Sequence, residues 1–366
     1  MQNILYHYSS QQIHTGSPRV LMRLVEGLDR FAFTPYFLAA SREGLCHELE
    51  KNGTIAVWGE TGQITKKTLH RNILNILKII GILRKHEISL VHINELGWNS
   101  ELALAAWLLR LPVIFHIHNP EKLSLHNLNC RIGSKFLFVS NALARQCSAN
   151  ALLGNKVEIL HNPVKVDSFV NGTSIRHEFG VPENAFIVGT VAQIRRGKGI
   201  DTIIETADKV ISKLPNTWFL IIGPEAKDEQ EFAAQMRKRV SELNLGHRIR
   251  FCGPREDVAN FLASIDVFFL PTRAEAFGMV IAEAMSARVP VVASNVGGIP
   301  EIIPDGTYGV TADIEEKNFH HLIIKLLTET EHGESIAEKG FERVKALFSD
   351  KVFNLKIKQL YKLLTP

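Results

Sequence analysis

Short runs rich in Val, Ile, Leu and Phe recur along the chain, and between them apolar residues return every three or four positions. The short runs have the pattern of strands buried on both faces, and the longer stretches have that of amphipathic helices. In the first half, strands are predicted over residues 3–8, 35–40, 54–58, 90–93, 113–116 and 136–139, with a helix over 18–28 and helical segments between several of the others. Strands alternating with helices specify a parallel sheet covered on both faces. Between 161 and 185 the pattern relaxes into His161-Asn162-Pro163, Asn171-Gly172-Thr173 and Val181-Pro182-Glu183-Asn184, a clustering of turn formers typical of a domain link. A second series then begins, with strands over 186–191, 218–222, 248–251, 267–270 and 289–293 and helices over 202–214, 229–244, 258–263 and 279–287. After Asp313 the chain reads as helical, and its last segment, 352–364, places Phe353, Ile357, Leu360 and Tyr361 on one stripe.

The pattern therefore predicts an α/β protein of two Rossmann-like, doubly wound parallel-sheet domains facing across a cleft. The carboxyl ends of both sheets are the expected ligand site. The length of 366 residues suits two domains, and 45% hydrophobic with 22% charged residues excludes disorder as the dominant state. With 42 Lys and Arg against 38 Asp and Glu, the net charge of +4 is too small to imply a nucleic-acid partner. The cysteines at 46, 130, 147 and 252 form no CxxC pair and no zinc spacing, as expected of buried thiols in a reducing compartment. The start shows no basic region leading into a long apolar stretch, and the apolar run 102–109 is too short to span a bilayer. A cytoplasmic protein is expected. One segment, 66–85, sets Lys66, Lys67, Arg71, Lys78, Arg84 and Lys85 among isoleucines and leucines; it reads as a sheet-covering helix with a basic edge, or as a peripheral contact with the inner face of an anionic membrane.

The most informative stretch runs from Pro271 through Glu275, Phe277, Gly278 and Met279 to Glu283. A strand ends at Leu270, a short loop presents Glu275, and a helix starts near Phe277–Gly278. Helix N-termini bind anions, and glycine there allows a phosphate to approach the backbone. Glu283, about one and a half turns into the helix, is placed to accept two hydrogen bonds from a ribose diol. Two isolated glutamates would more often be solvated carboxylates, but the glycine turn Gly297-Gly298 and Pro300-Glu301 follow the next strand. Together these residues resemble the family 4 glycosyltransferases of the GT-B fold, which are retaining enzymes. The family signature is two glutamates separated by seven residues, matched by Glu275 and Glu283 with Phe277 and Gly278 in place.

The resemblance assigns further positions. Lys198-Gly199, in a basic loop after the strand 186–191, matches the family's phosphate-binding lysine, whereas Gln193 stands where the family usually has an arginine and Arg195 or Arg196 is left to substitute. Gly16, between Thr15 and Ser17, matches the one remaining glycine of the donor-phosphate loop, ahead of Pro18 as a first-turn residue with Ser17 as cap. His118, two residues beyond His116, matches a histidine that contacts the donor sugar; a hydrogen-bond-donating neutral ring is the reading, because no third ligand for a zinc at His116 and His118 is identifiable. His92 ends the strand 90–93 and Ser140 follows the strand 136–139 as in the family, Pro254 and Arg255 lie where it holds the nucleobase, and Arg288 replaces its usual glycine.

The resemblance implies domains over 1–165 for the acceptor and 166–348 for the donor, with a helix over 349–366 packing back on the first. It also implies a metal-independent, retaining hexosyltransferase that needs no cofactor. The co-substrate would be a UDP- or GDP-linked sugar, the acceptor a saccharide or a lipid-linked glycan of the cell surface. Glu275, His118 and Lys198 would serve the chemistry, while Gly16, Arg195, Arg196, Lys198, Pro254, Arg255, Phe277, Gly278, Met279 and Glu283 hold the donor. Two other readings compete: an epimerase or hydrolase of the same architecture using Glu275 and His118 as an acid/base pair, and a non-catalytic sugar-nucleotide-binding subunit, favoured by Gln193 and Arg288. A dinucleotide oxidoreductase is disfavoured because no GxGxxG follows the first strand.

Overall fold

The computed structural model describes residues 1–366 apart from 12, 14, 15, 65–68, 98 and 366. His14 and Thr15 of the Gly16 loop, and Lys66 and Lys67 of the basic segment, lie outside the described residues. The chain divides into two compact units, Met1–Pro163 with Asp350–Pro366, and Val164–Ser349.

The first unit carries a sheet of β1 (Gln2–His7), β2 (Phe33–Ala39), β3 (Ile55–Trp58), β4 (Ile88–Ile93), β5 (Val113–Ile117), β6 (Lys135–Phe138) and β7 (Val157–Ile159). They lie in the order 3-2-1-4-5-6-7, every pair parallel. Strand order reverses between β1 and β4, so the loops leaving those two strands diverge and open a crevice at their carboxyl ends. The buried runs of β4 and β5 fill the centre, where a strand covered on both faces needs apolar side chains throughout. The helix Asp350–Leu364 belongs to this unit; it buries Phe353, Ile357, Leu360 and Tyr361, and Lys358 Nζ lies 2.6 Å from Asp29 Oδ2.

The second unit carries β8 (Phe186–Val191), β9 (Thr217–Ile222), β10 (Ile249–Gly253), β11 (Val267–Leu270), β12 (Val291–Ser294) and β13 (Val310–Ala312), in the parallel order 10-9-8-11-12-13. Its switch point falls between β8 and β11. The two loops that carry Lys198 and Glu275 are those leaving β8 and β11, so topology alone brings them to one crevice. One layer of the core is built from Ile203, Ile204, Ala207, Phe219, Ile221, Phe269, Phe319 and Ile323, all buried.

Two strands escaped the pattern, β7 and β13. Each has three residues and pairs on one side only, so neither needs the long apolar run that marks a central strand. The first helix starts at Gly16, which puts Ser17 inside it rather than at its cap. The basic segment forms the helix Leu69–Lys85, which buries Ile76, Ile79 and Leu83 and leaves Ile73, Leu74 and Leu77 half or more exposed beside Arg71 and Lys78. No helix among the described residues is long and apolar enough to cross a membrane.

Candidate functional site

In the second unit β8 runs out at Val191, and the chain turns through a single 3₁₀ turn, Arg196–Lys198, into the helix Ile200–Lys213. Gly199 ends that turn with φ of +69°, and a Cβ there would lie 1.9 Å from the carbonyl oxygen of Pro271. Only glycine permits this approach of the β8 loop to the β11 loop. The contact is reinforced by hydrogen bonds: Arg273 N donates to Gly197 O at 2.8 Å, and Thr272 Oγ1 to the same oxygen at 3.0 Å. The Arg273 guanidinium meets both Asp201 oxygens, at 2.9 and 2.7 Å, and Arg196 O at 2.7 Å. The Asp201 carboxylate holds that guanidinium above its usual pKa. Thr272, Arg273 and Asp201 were not singled out in the sequence; an Arg and an Asp 72 positions apart carry no local signal.

The clamp sets Lys198 Nζ 2.6 Å from Glu275 Oε2, with both side chains largely buried. Glu275 is fixed from beneath as well. Gly298 N donates to Glu275 O at 3.0 Å, and a Cβ on Gly297, at φ of +55°, would sit 1.9 Å from that same oxygen. The glycine turn after β12 is therefore a seat for the Glu275 backbone. Gly278 follows at φ of +104° and opens the helix Met279–Ser286, its first turn directed by the dipole toward anions. Phe277 is buried edge-on against Phe348 with ring centroids 5.4 Å apart, and Glu283 is buried four residues beyond Met279.

The structure brings Lys198, Glu275, Phe277, Gly278, Met279 and Glu283 to one switch point, and it directs the neighbouring arginines elsewhere. Arg195 faces Glu229 at 3.2 Å and Asp228 at 3.4 Å, and Arg196 lies over the Phe232 ring at 4.7 Å. Pro254 is exposed just past β10. Arg255 is paired with Asp257 and Glu178 and stacked over Phe179; the Asp257 carboxylate in particular raises its pKa. A cavity of about 550 Å³ lies along β10, lined by Phe179, Arg237, Arg250, Phe251, Cys252 and Arg255 among others. It follows the sheet edge, away from the Lys198–Glu275 pair.

Arg288 has φ of +55°, which explains why glycine suits this position. The arginine compensates for the strained backbone by pairing with Glu338 at 2.7 Å and covering the Phe341 ring at 3.7 Å.

The first unit gathers a different set. Gly16 is exposed at the start of its helix. Ser140 caps the helix Asn141–Gln146, its Oγ accepting from Leu143 N at 3.0 Å, which is a structural task. Ser9 and Glu95, which follow the two switch-point strands, join through Ser9 N and Oγ at 2.8 and 2.7 Å, and Asn99 Nδ2 donates to Glu95 at 2.7 Å. Three buried imidazoles stand in a row, His92 5.5 Å from His116 and His116 4.3 Å from His118. His92 Nδ1 lies 2.7 Å from the Tyr361 hydroxyl, and neither nitrogen of His116 has a hydrogen-bond partner. Among the described residues no three His, Cys, Asp or Glu side chains are arranged to hold a metal ion.

Burial holds all three rings neutral, His92 and His118 down to about 3 and His116 well below its ordinary value. Folded-state values below the unfolded one mean that the unfolded chain takes up protons first as pH falls through about 6.5. Stability is therefore whole above that pH and lost below it, by about 1.4 kcal/mol per pH unit per histidine, or roughly 4 for the three. Urea midpoints between pH 7.5 and pH 5 are expected to fall steeply, with His116→Phe reducing the slope by about a third. An unchanged slope in that variant would show that the ring is not held neutral.

The comparisons with known proteins follow the same division. Residues 172–343 match the family model described as glycosyl transferases group 1, and residues 14–168 match that of glycosyltransferase family 4. N-acetyl-alpha-D-glucosaminyl L-malate synthase of Bacillus anthracis is 29% identical over 182 residues, 49% of this chain and 46% of that protein. D-inositol 3-phosphate glycosyltransferase of Mycolicibacterium smegmatis is 31% identical over 163 residues, 43% of this chain and 37% of its own length. The chain thus matches less than half the length of either relative. Among solved structures, a glycosyltransferase from Rickettsia africae superposes with a TM-score of 0.88 at 20% identity, over 99% of this chain and 98% of that one. Anabaena Alr3699/HepE in complex with UDP gives 0.85 at 21% identity, over 99% and 100%.

Proposed function

Because the chain belongs to the family 4 glycosyltransferases of the GT-B fold, we propose that it moves a sugar from a nucleoside-diphosphate donor to a hydroxyl acceptor with retention of configuration. The observation that carries this reading is the juxtaposition of Lys198 with Glu275 beside the Gly278 helix start, at the switch point of the second sheet. A nucleoside diphosphate gains negative charge as the bond from its terminal phosphate to the sugar C1 breaks. A fixed ammonium and oriented helix amides stabilise that charge more in the transition state than in the ground state. Glu275, seated by Gly297 and Gly298, accepts hydrogen bonds from hydroxyls of the transferred sugar. Glu283 takes the ribose diol, and Phe277 and Met279 shape the turn between them.

No side chain of this set is offered as a covalent nucleophile, so a front-face substitution is the chemistry proposed. The C1–O bond to phosphate breaks, the departing oxygen takes the acceptor's hydroxyl proton, and the acceptor oxygen bonds C1 from the same face. The cationic role falls to Lys198 rather than to a metal ion. The first unit is proposed to hold the acceptor, a saccharide or a lipid-linked glycan of cell-surface polysaccharide synthesis. Peripheral membrane contact is supported by the helix Leu69–Lys85, whose exposed isoleucine and leucines stand among basic residues, an arrangement that suits anionic lipid.

The deciding experiment is product analysis with UDP-, GDP-, ADP- and CMP-sugars, with acceptors free and carried in anionic vesicles. The UDP complex of the Anabaena neighbour makes UDP-sugars the first to try. Net transfer with the anomeric configuration of the donor is expected. Isomerised or hydrolysed donor alone would favour the epimerase or hydrolase, and donor binding without turnover would favour a binding subunit.

A further inference from the structure

We propose that His118 meets its substrate as a hydrogen-bond acceptor, through the lone pair on Nδ1, and that Asn94 is the positioning residue that fixes this polarity. The inference rests on the transferase reading for the identity of the substrate, but its geometry stands without it. Asn94, directly after β4, sends its side-chain amide between two groups: Nδ2 lies 3.0 Å from the carbonyl oxygen of Ser17, and Oδ1 lies 2.9 Å from His118 Nε2. A backbone carbonyl only accepts, so the amino end of the amide must face Ser17 and the oxygen must face the imidazole. An amide oxygen also only accepts, so Nε2 carries the ring proton. Burial keeps the ring neutral. A neutral imidazole protonated at Nε2 presents a bare lone pair at Nδ1.

That nitrogen is buried in a residue only 8% exposed and has no hydrogen-bond partner among the described residues. It lies on the β5 side of the first sheet's switch point, where a ligand is expected. An orphaned buried acceptor calls for a donor, and a sugar hydroxyl supplies one. A phosphate or carboxylate oxygen, unprotonated at neutral pH, would set lone pair against lone pair. His118 therefore selects a hydroxyl-bearing part of the substrate on this proposal, as an acceptor in place of the donor role expected from the sequence. The neighbouring ring of His116 is not its partner, since both of its nitrogens are themselves unbonded. Asn94 belongs to no motif, yet it ties His118 to the first turn of the helix that begins at Gly16. The ring polarity thus depends on that helix staying in place.

Long-range ¹H–¹⁵N correlation spectra of the histidine rings in the full chain test this directly, with the His118 signals assigned by their loss in His118→Gln. The wild type is expected to show the Nε2–H form. Asn94→Leu is expected to lose that preference and about tenfold in kcat/KM, as for one lost hydrogen bond, while Asn94→Asp, whose carboxylate still accepts from Nε2, keeps the tautomer. An Nδ1–H ring in the wild type, or an unchanged ring in Asn94→Leu, would overturn the proposal. The spectra need no turnover. The expected tautomer in a protein that transfers no sugar would sustain the Asn94 assignment and sink the transferase reading instead.

Discussion

Lys198→Ala is expected to lower kcat by about 10²- to 10³-fold, the loss that accompanies removal of one preorganised charge-stabilising donor. The ammonium sits 2.6 Å from Glu275 in a partly buried position, so its removal also leaves a carboxylate beside the place where the diphosphate gains charge. The effect should fall on kcat more than on donor KM, because the interaction strengthens as the leaving group departs. Arg195→Ala provides the contrast. That guanidinium is occupied by Glu229 and Asp228, so its removal should change kcat by less than about threefold. Steady-state kinetics with a confirmed donor settle both, and equal kcat in Lys198→Ala and wild type would remove the cation from the mechanism.

Gly199→Ala is expected to be among the most disruptive single methyls in the second unit. The left-handed backbone alone costs about 1–2 kcal/mol for an alanine. The added carbon would also lie 1.9 Å from Pro271 O, which cannot yield without moving the start of the Glu275 loop. A total loss of about 3 kcal/mol or more is expected, with a drop in Tm of roughly 10 °C and kcat reduced with it. Gly197→Ala, two residues earlier, meets nothing within 4 Å and has no positive φ, so it should shift stability by no more than about 0.5 kcal/mol. Thermal unfolding of the pair separates a packing requirement at one glycine from general loop sensitivity. Similar Tm values for the two variants would refute the close approach.

Most of the architecture was legible because parallel strands buried on both faces must be written as apolar runs. The central strands of both sheets are of this kind, and their boundaries moved by only a few residues. The edge strands β7 and β13 were not legible, since three residues paired on one side leave almost no pattern. The Lys198, Glu275 and Gly278 grouping could be read because each follows a strand at a fixed short distance and topology then unites the two loops. What holds that grouping could not. Arg273 with Asp201, and Gly297 beneath Glu275, act across gaps in sequence that no local period spans. The polarity proposed for His118 has no local signal either: a tautomer is set by what the other nitrogen touches, and here that is a residue 24 positions earlier. Arg195 and Arg196 looked available as charges in a basic loop, and only the fold shows that Glu229 and Phe232 engage them.

The helix Asp350–Leu364 has one more consequence, for the order of events during synthesis. Tyr361 reaches the His92 ring and packs edge-on against Phe33, so residues made before the second unit wait for a side chain that is made after it. The second unit, continuous from Val164 to Ser349, has no such delay and can close while the earlier one is still open. The lobe made first is thus the lobe finished last, and its exposed strands are the surface that a chaperone would have to guard in the interval.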